Sequence, residues 1–175
     1  MIKGLTVYKN TYKTTNVFAY TTNGIPGLEI KIGSKNSKIL REKIIYLTRK
    51  SQLPIPLKRY VICVEEEDKI LKKEELKWLE LPILILYWNM ANALSISSLD
   101  NCLCGGQVSI DGIVKPLSIS GKYLHFFNSH NCEKVWKIIT GRGQIECLGL
   151  VRLPVEEILH LPLVEKQIKI KSIGS

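Results

Sequence analysis

Residues 79–94, with the sequence LELPILILYWNMANAL, form the most apolar run of the chain and constrain its fold more than any other segment. The run is about 16 residues long and contains Glu80 and Pro82, so it is shorter than the roughly 20 apolar residues that span a bilayer. A helix that is apolar on every side has to be covered by other elements. We therefore expect a buried helix at residues 82–94, in the core of a globular domain, and no membrane partner.

The segments before and after this run alternate between strand and helix patterns. Runs rich in β-branched and aromatic residues, or with period-two alternation, predict strands. Apolar residues at helical spacing after Ser, Asn or Pro predict helices. The order indicates an α/β (α+β) layered domain, in which a mixed sheet is packed with helices. The predicted strands are Leu5–Tyr8, Asn16–Thr22, Leu28–Ile32, Tyr60–Val64, Tyr123–Phe127 and Ile145–Leu150, and the other predicted helices are residues 34–52, 129–140 and 154–161.

The helix predicted at residues 34–52 has an apolar side, to which we assign Ile39, Leu40, Ile44 and Leu47, and a basic side. The formal charge of the chain is +9, and residues 1–60 hold twelve of its 25 Lys and Arg but only two of its 16 Asp and Glu. Such a surface attracts phosphate backbones or an acidic partner, although a solvated lysine-rich surface has the same composition. The candidates for contacts with DNA are Lys35, Lys38, Arg41, Lys43, Arg49, Lys50, Lys58 and Arg59.

Asp111-Gly112 separates the alternating runs QVSI and IVKPL and predicts a tight β-hairpin. Asp-Gly tolerates the positive φ angles of a type I′ turn, and Pro116 is expected to end the second strand. The corner SISG follows at residues 118–121. Short corners rich in serine and glycine form turns more often than active sites, so we interpret the hairpin as scaffold.

The chain contains five cysteines, which are Cys63, Cys102, Cys104, Cys132 and Cys147. Their number is odd, their spacing is irregular, and the sequence MIKGLTVYKN at the start is not a secretory signal. These features predict reduced thiols and a cytoplasmic location. The spacing of the cysteines and the three histidines matches no common zinc motif, so we expect no metal and no cofactor in this chain.

Four segments, in order along the chain, carry a family resemblance: NGIPGLEIKIGSKNSKILREKI, LPIPLKRYVICVEEEDKILKKEELKWLELPILI, CGGQVSIDGIVKPLSISG and YLHFFNSHNCEKVWKIITGRGQIECLGLVRLPVEEILHL. They resemble the N-terminal region of the magnesium-chelatase-like AAA+ family that includes the competence protein ComM (YifB). The resemblance implies a Lon-protease-like domain, with the α/β architecture of ribosomal-protein domain 2, over residues 1–163. Residues 164–175 would then be a polar tail or linker.

In that family an ATPase module follows this domain and serves DNA processing, with helicase work of the branch-migration type in recombination and competence. This chain has no G-x-x-x-x-G-K-[ST] phosphate loop, because GRGQ at residues 141–144 lacks the lysine and no strand is predicted directly before it. The resemblance therefore implies an accessory binding or assembly domain. Its candidate partners are DNA, an AAA+ module in the same or another chain, and a second copy of itself.

Lon-type proteolysis needs a serine nucleophile and a lysine base, since a serine hydroxyl alone is a weak nucleophile. In the aligned segment Trp78 stands where the serine would be, and Leu76-Lys77 replaces the preceding Gly-Pro. Tyr123 stands at the position of the lysine, and Lys122 is its neighbour. The sequence therefore predicts no catalytic residue and no enzyme activity.

Two alternatives stand beside this leading hypothesis. One is a protein–protein interaction module with no nucleic-acid role. The other is a divergent Ser/Lys peptidase, in which Lys122 would pair with Ser118 or Ser120.

Two local sequence patterns each allow two interpretations. Glu65–Asp68 reads as a solvated loop or a cation-binding cluster, and Tyr8–Lys13 reads as a β-turn with surface tyrosines or as a platform for stacking bases.

Overall fold

An eight-stranded mixed sheet organises residues 1–32, 35–65, 71–120, 123, 137–142 and 151–159, the part of the chain that this computed structural model describes, with the backbone alone at 35 and 36. The strands are β1 (Ile2–Tyr8), β2 (Thr11–Thr22), β3 (Gly27–Ile32), β4 (Lys35–Asn36), β5 (Arg59–Val64), β6 (Cys102–Cys104), β7 (Gly106–Val108), β8 (Val114–Pro116), β9 (Lys137–Thr140) and β10 (Val151–Pro154). Their order in the sheet is β10-β9-β6-β1-β2-β5-β3-β4, and β7 and β8 form a second, two-stranded sheet.

Helices cover the sheet at α1 (Lys38–Lys50), α2 (Lys73–Leu76), α3 (Glu80–Met90) and α4 (Val155–Leu159), and a 3₁₀ turn at Lys77–Leu79 joins α2 to α3. Parallel strand pairs, such as β3 with β5 and β6 with β9, occur beside antiparallel pairs such as β1 with β2. The predicted class, a mixed α/β domain with helices packed on a mixed sheet, is confirmed.

The two faces of the sheet carry separate hydrophobic clusters. α3 contacts β1, β2 and β5, and α1 contacts β3, so the larger cluster lies between these helices and one face. Because successive residues of a strand point to opposite faces, Leu5, Leu103 and Ile138 reach the other face. There they form the smaller cluster with Leu117 and Ile119.

The predicted buried helix is confirmed as α3, where every residue from Leu81 to Trp88 is buried. The helix ends at Met90, four residues before the predicted end, and Asn92 follows with a φ of 57°. The indole nitrogen of Trp88 donates a hydrogen bond to Thr48 Oγ1 at 2.8 Å, which ties α3 to α1 through the core.

The apolar side of α1 was predicted correctly at three of its four positions. Leu40, Ile44 and Leu47 are buried, and Thr48 joins them. Ile39 is 86% exposed, so its assignment to the buried face was wrong. Ile39 precedes Leu40 by one residue, which corresponds to about 100° around the helix. It therefore lies outside the buried row of Leu40, Ile44 and Leu47, which have the i, i+4, i+7 spacing.

Two predicted strands, Leu28–Ile32 and Tyr60–Val64, are confirmed as β3 and β5, each one residue longer. The strand predicted at Asn16–Thr22 is β2, which starts earlier, at Thr11. β1 and β2 pair as a hairpin across Lys9 and Asn10, both of which have positive φ. Two such residues define a type I′ turn, so the β-turn interpretation of Tyr8–Lys13 is confirmed.

The C-terminal predictions required one clear correction. The helix predicted at residues 129–140 was wrong at its end, because Lys137–Thr140 is β9, a strand between β6 and β10. The short run of β-branched residues here fits a parallel strand that is buried on both faces. Of the strand predicted at Tyr123–Phe127 only Tyr123 is described, and its backbone is helical. The strand predicted at Ile145–Leu150 lies outside the described residues.

The hairpin predicted at Asp111-Gly112 is confirmed, since β7 and β8 pair antiparallel and β8 ends at Pro116. The predicted type I′ turn was wrong. Gly112 has a φ of 82°, whereas Asp111 is not among the residues with positive φ. The Gly112 N–H donates to the Ser109 carbonyl at 3.0 Å, which is the pattern of a type I turn followed by a glycine bulge.

Candidate functional site

The basic residues predicted to contact DNA lie on two flanks of α1 rather than on one face. On one flank, the Lys43 ammonium reaches Glu80 on α3, and the Lys50 ammonium donates to the Asp111 carbonyl at 3.3 Å. Arg49 lies on the opposite flank, where it lines a cavity together with Lys58. Lys38 is eleven residues before Arg49, which is three helical turns, and it therefore shares that flank.

Three of the predicted residues are paired with carboxylates. Arg41 pairs with Glu42 beside it, Lys43 Nζ lies 2.8 Å from Glu80 Oε2, and the Arg59 guanidinium lies 3.0 Å from Glu29 Oε2. The hydrogen bond from Arg59 is the main reason that the pKa of Glu29 is lowered. The hydrogen bond from Arg41 likewise lowers the pKa of Glu42. A cation whose charge is balanced in this way attracts phosphate less strongly.

Lys38, Arg49 and Lys58 are exposed, and within the described residues none of them has a carboxylate partner within 4.0 Å. We call these three residues the cation edge. The backbone of Lys35 lies in β4, but its side chain is outside the description. The structure therefore places Arg49 and Lys58 at one cavity and Lys38 three turns away on the same flank of α1, and it directs Lys43 and Lys50 to the hairpin side.

The cavity beside the cation edge has a volume of about 310 Å³. Its walls come from the start of β3, from α1 and α3, and from the segment of residues 53–58 that leads into β5. The Tyr60 hydroxyl donates to the Pro56 carbonyl at 3.1 Å, and the Tyr60 ring meets the Tyr87 ring edge-on at 5.2 Å between centroids. Apolar residues provide most of the lining, which consists of Pro26, Gly27, Leu28, Ile45, Thr48, Arg49, Leu53, Ile55, Pro56, Leu57, Lys58, Tyr60 and Tyr87.

Sequence reasoning missed this cavity, because residues 54–59 (PIPLKR) read only as a segment that ends a helix. The signal that could have found it is local. Two prolines alternate with apolar residues directly before the Lys-Arg pair. Leu57 in that segment and Ile25 in the turn before β3 are 87% and 88% exposed.

A second cavity, of about 440 Å³, lies on the other flank of α1, next to the β7–β8 hairpin. Lys43, Lys77 and Lys115 line it together with the acids Glu80 and Asp111. Glu80 Oε2 forms an ion pair with Lys43 and accepts a hydrogen bond at 2.9 Å from the Val108 N–H. The charges that line this second cavity are therefore mixed, and the Glu80 carboxylate joins α3 to the hairpin.

Trp78, which aligns with the position of the Lon nucleophile, lies in the 3₁₀ turn and packs against the smaller hydrophobic cluster. The two candidate serines of the peptidase alternative, Ser118 and Ser120, form hydrogen bonds within the fold. The Ser118 carbonyl accepts a hydrogen bond from the Tyr12 hydroxyl at 3.1 Å, and Ser120 Oγ accepts one from the Tyr123 N–H at 3.3 Å. Lys122, the candidate base, lies outside the described residues.

The charged segment at residues 65–78 contains a buried group that the sequence did not reveal. Glu65 is exposed and accepts a hydrogen bond from the Asn16 side-chain amide at 2.8 Å, while residues 66–68 lie outside the description. Glu75 is fully buried and bonds to Lys13. No group of three or more His, Cys, Asp and Glu suited to a metal ion occurs within the described ranges.

The tyrosines near the β1–β2 turn are engaged within the protein. The Tyr12 ring stacks on Tyr123, with 4.5 Å between centroids, and the Lys72 ammonium lies 4.0 Å from the Tyr8 ring centroid.

The thiols of Cys102 and Cys104 on β6 are buried. Burial raises the pKa of Cys102 to about 12 and that of Cys104 well above its usual value. Among the helices that are described, none has the length and apolarity to cross a membrane.

No protein-family model matches this sequence, and no curated protein matches it significantly. The resemblance to the ComM family is therefore carried by the four quoted segments alone, and what it implies is a matter for proposal.

Proposed function

We propose that this chain is a non-catalytic, Lon-like binding domain of a ComM-type DNA-processing protein, and that it contacts nucleic-acid phosphates through the cation edge. The observation that carries the proposal is the placement of Lys38, Arg49 and Lys58 along one flank of α1, where none of them forms an ion pair within 4.0 Å among the described residues. The rise of an α-helix puts Lys38 and Arg49 about 16 Å apart along the axis. That spacing suits contacts with several successive phosphates of one strand, since each base step advances about 3.4 Å.

The surroundings of Trp78 support the non-catalytic part of the proposal. The residue at the aligned nucleophile position is an indole that packs against the smaller hydrophobic cluster. An indole has no group that could attack a carbonyl carbon. The peptidase alternative would therefore need a serine from elsewhere in the chain.

The salt dependence of DNA binding tests the proposal. Three phosphate contacts predict that the affinity for a duplex oligonucleotide falls about 40-fold between 50 and 200 mM salt, because log K changes with log salt by about −0.9 per contact. The triple variant Lys38→Gln, Arg49→Gln, Lys58→Gln should bind weakly and lose most of this dependence. Fluorescence anisotropy at several salt concentrations measures both quantities.

A second triple variant provides a control with the same change in charge. Lys73→Gln, Lys77→Gln, Lys115→Gln removes three exposed lysines outside the cation edge and should leave most of the affinity intact. Equal losses in the two variants would show a diffuse effect of net charge and would refute the proposed edge. Absence of binding at 50 mM salt would refute the nucleic-acid role itself.

An AAA+ partner module and a cytoplasmic location belong to the same proposal, through the family resemblance. A phosphate-loop ATPase encoded in frame after Ser175 would support the connection. A stop codon at that point would instead favour a free-standing domain that has to recruit its ATPase in trans or acts without one.

A further inference from the structure

We propose that the cavity between α1 and residues 53–58 binds a small anionic amphiphile, in which an apolar body carries a carboxylate or a phosphate group. Leu28, Tyr60 and Tyr87 are buried residues in its wall. Arg49 and Lys58, which also line it, are exposed and therefore stand toward its opening. The cavity thus combines an apolar interior with two positive charges at its mouth, which is the complement of such a ligand.

The hydroxyls of Tyr60 and Thr48 in the wall are already bonded within the protein. The Tyr60 hydroxyl donates to the Pro56 carbonyl. Thr48 Oγ1 donates to the Ile44 carbonyl at 2.7 Å and accepts the Trp88 N–H. Burial also raises the pKa of Tyr60 and of Tyr87, so both phenols stay neutral. The interior therefore offers mainly apolar contact, and it favours a hydrocarbon or aromatic body.

The cations at the mouth determine the head group. Within the described residues neither Arg49 nor Lys58 has a carboxylate within 4.0 Å, so an incoming anion displaces no internal partner. A guanidinium presents two parallel N–H donors that match a carboxylate or phosphate, and an ammonium adds a point charge. The volume of about 310 Å³ corresponds to roughly ten water-sized volumes. A medium-chain acid or an aryl phosphate is therefore of suitable size.

Calorimetric titration with four probes tests the inference and identifies the head group. Octanoate and phenyl phosphate carry the two candidate head groups on apolar bodies, 1-octanol lacks the charge, and inorganic phosphate lacks the body. We expect saturable binding of octanoate, of phenyl phosphate or of both, and at least tenfold weaker binding of 1-octanol and of inorganic phosphate. Equal binding of octanoate and 1-octanol would overturn the role of the cations, and the absence of binding by both amphiphiles would overturn the site.

Charge variants at the mouth make the same test residue by residue. Arg49→Gln and Lys58→Gln are each expected to weaken the amphiphile about tenfold, because each removes one charge-assisted contact. Lys50→Gln is the matched control, since Lys50 is exposed and adjacent to Arg49 in sequence but points to the hairpin flank. All three positions are at the surface, so the variants should fold. An equal effect at Lys50 would contradict the proposal.

A filling variant separates this inference from the proposed nucleic-acid contact. Ile45→Trp places a large ring against the cavity and retains Arg49 and Lys58. It should abolish amphiphile binding and leave duplex binding within about twofold of the parent. Retained octanoate or phenyl phosphate binding in Ile45→Trp, with an unchanged melting temperature, would place the ligand elsewhere and refute the site. If the parent protein binds an amphiphile but no DNA, the nucleic-acid proposal is refuted and the cavity site is supported, because the two proposals share cations but not ligands.

Discussion

The Lys13 ammonium on β2 lies 2.8 Å from Glu75 Oε1 on α2, and the Glu75 side chain is fully buried. The second carboxylate oxygen, Oε2, accepts a hydrogen bond from the Lys72 N–H at 2.9 Å. Both oxygens of this buried group therefore have partners. The arrangement joins the β1–β2 hairpin to the segment that leads into α3.

Replacing Glu75 by alanine is expected to lower the free energy of unfolding by about 2–4 kcal/mol, because the Lys72 N–H loses its acceptor and Lys13 loses its counter-charge. Glu74→Ala is the matched control, since Glu74 is the exposed neighbour on the same short helix; its effect should stay within about 0.5 kcal/mol. Urea unfolding measures both values. Equal values for the two variants would show that the buried pair does not stabilise the fold.

The contribution of Glu75 should also depend on pH. Burial alone would raise the pKa of Glu75, but the hydrogen bonds from Lys13 and from the Lys72 N–H outweigh burial, so the pKa is lowered from 4.5. A carboxyl group with a lowered folded-state pKa stabilises the protein above its unfolded-state pKa, and this stabilisation is lost as the pH falls through the folded-state value. The stability difference between the parent and Glu75→Gln should therefore be largest near pH 7 and shrink below pH 4.5. Urea titrations at several pH values would contradict this if the difference stayed constant.

The elements that the sequence predicted correctly are those with a local signal. α3 is apolar on every side, β3 alternates with period two, and the Asp-Gly pair marks the hairpin. β9 was predicted as the end of a helix because a four-residue run such as KIIT fits either structure. What decides between them is its pairing with β6 and β10, which are distant in the sequence.

The candidate site was less predictable for the same physical reason. The eight basic residues could be counted, but their flank depends on where α1 rests on the sheet. Glu75 could not be told from the other acids around it, because its partner Lys13 is 62 residues away. The cavity takes its walls from several separate parts of the chain, and the local signal at residues 54–59 marks only one of these walls.

The link between Thr48 and Trp88 should be detectable as a coupling between the two helices. Thr48→Val removes the acceptor of the indole N–H and leaves that donor buried without a partner, which should cost about 1–3 kcal/mol of stability. Thr48→Ser keeps the hydroxyl and should cost less. In the background of Trp88→Phe, which has no N–H, the cost of Thr48→Val should shrink. Chemical denaturation of the four proteins gives the cycle, and additive effects would show that the hydrogen bond contributes nothing.

The glycine in the β7–β8 turn should resist substitution. Gly112 has a φ of 82°, so Gly112→Ala should destabilise the protein by about 1–2 kcal/mol, the cost of placing a Cβ in the left-handed region. Gly27 at the start of β3 is the control, because its φ is not in that region and a Cβ there would meet no atom within 4 Å. Gly27→Ala should change stability by less than about 0.5 kcal/mol. Thermal melts compare the pair, and similar effects would contradict the turn geometry.

The cysteines of β6 should be much less reactive than Cys63. The pKa of Cys102 is raised to about 12 and that of Cys104 well above its usual value, in both cases chiefly by burial, so neither forms an appreciable amount of the nucleophilic thiolate at pH 8. Burial also raises the pKa of Cys63, but this residue is only partly buried. Brief iodoacetamide treatment of the folded protein, followed by peptide mass spectrometry, should therefore find Cys63 labelled before Cys102 and Cys104. Labelling in urea is the control, where all three should react at similar rates. Early labelling of Cys104 in the folded protein would show that β6 opens to solvent and would contradict its central place between β1 and β9.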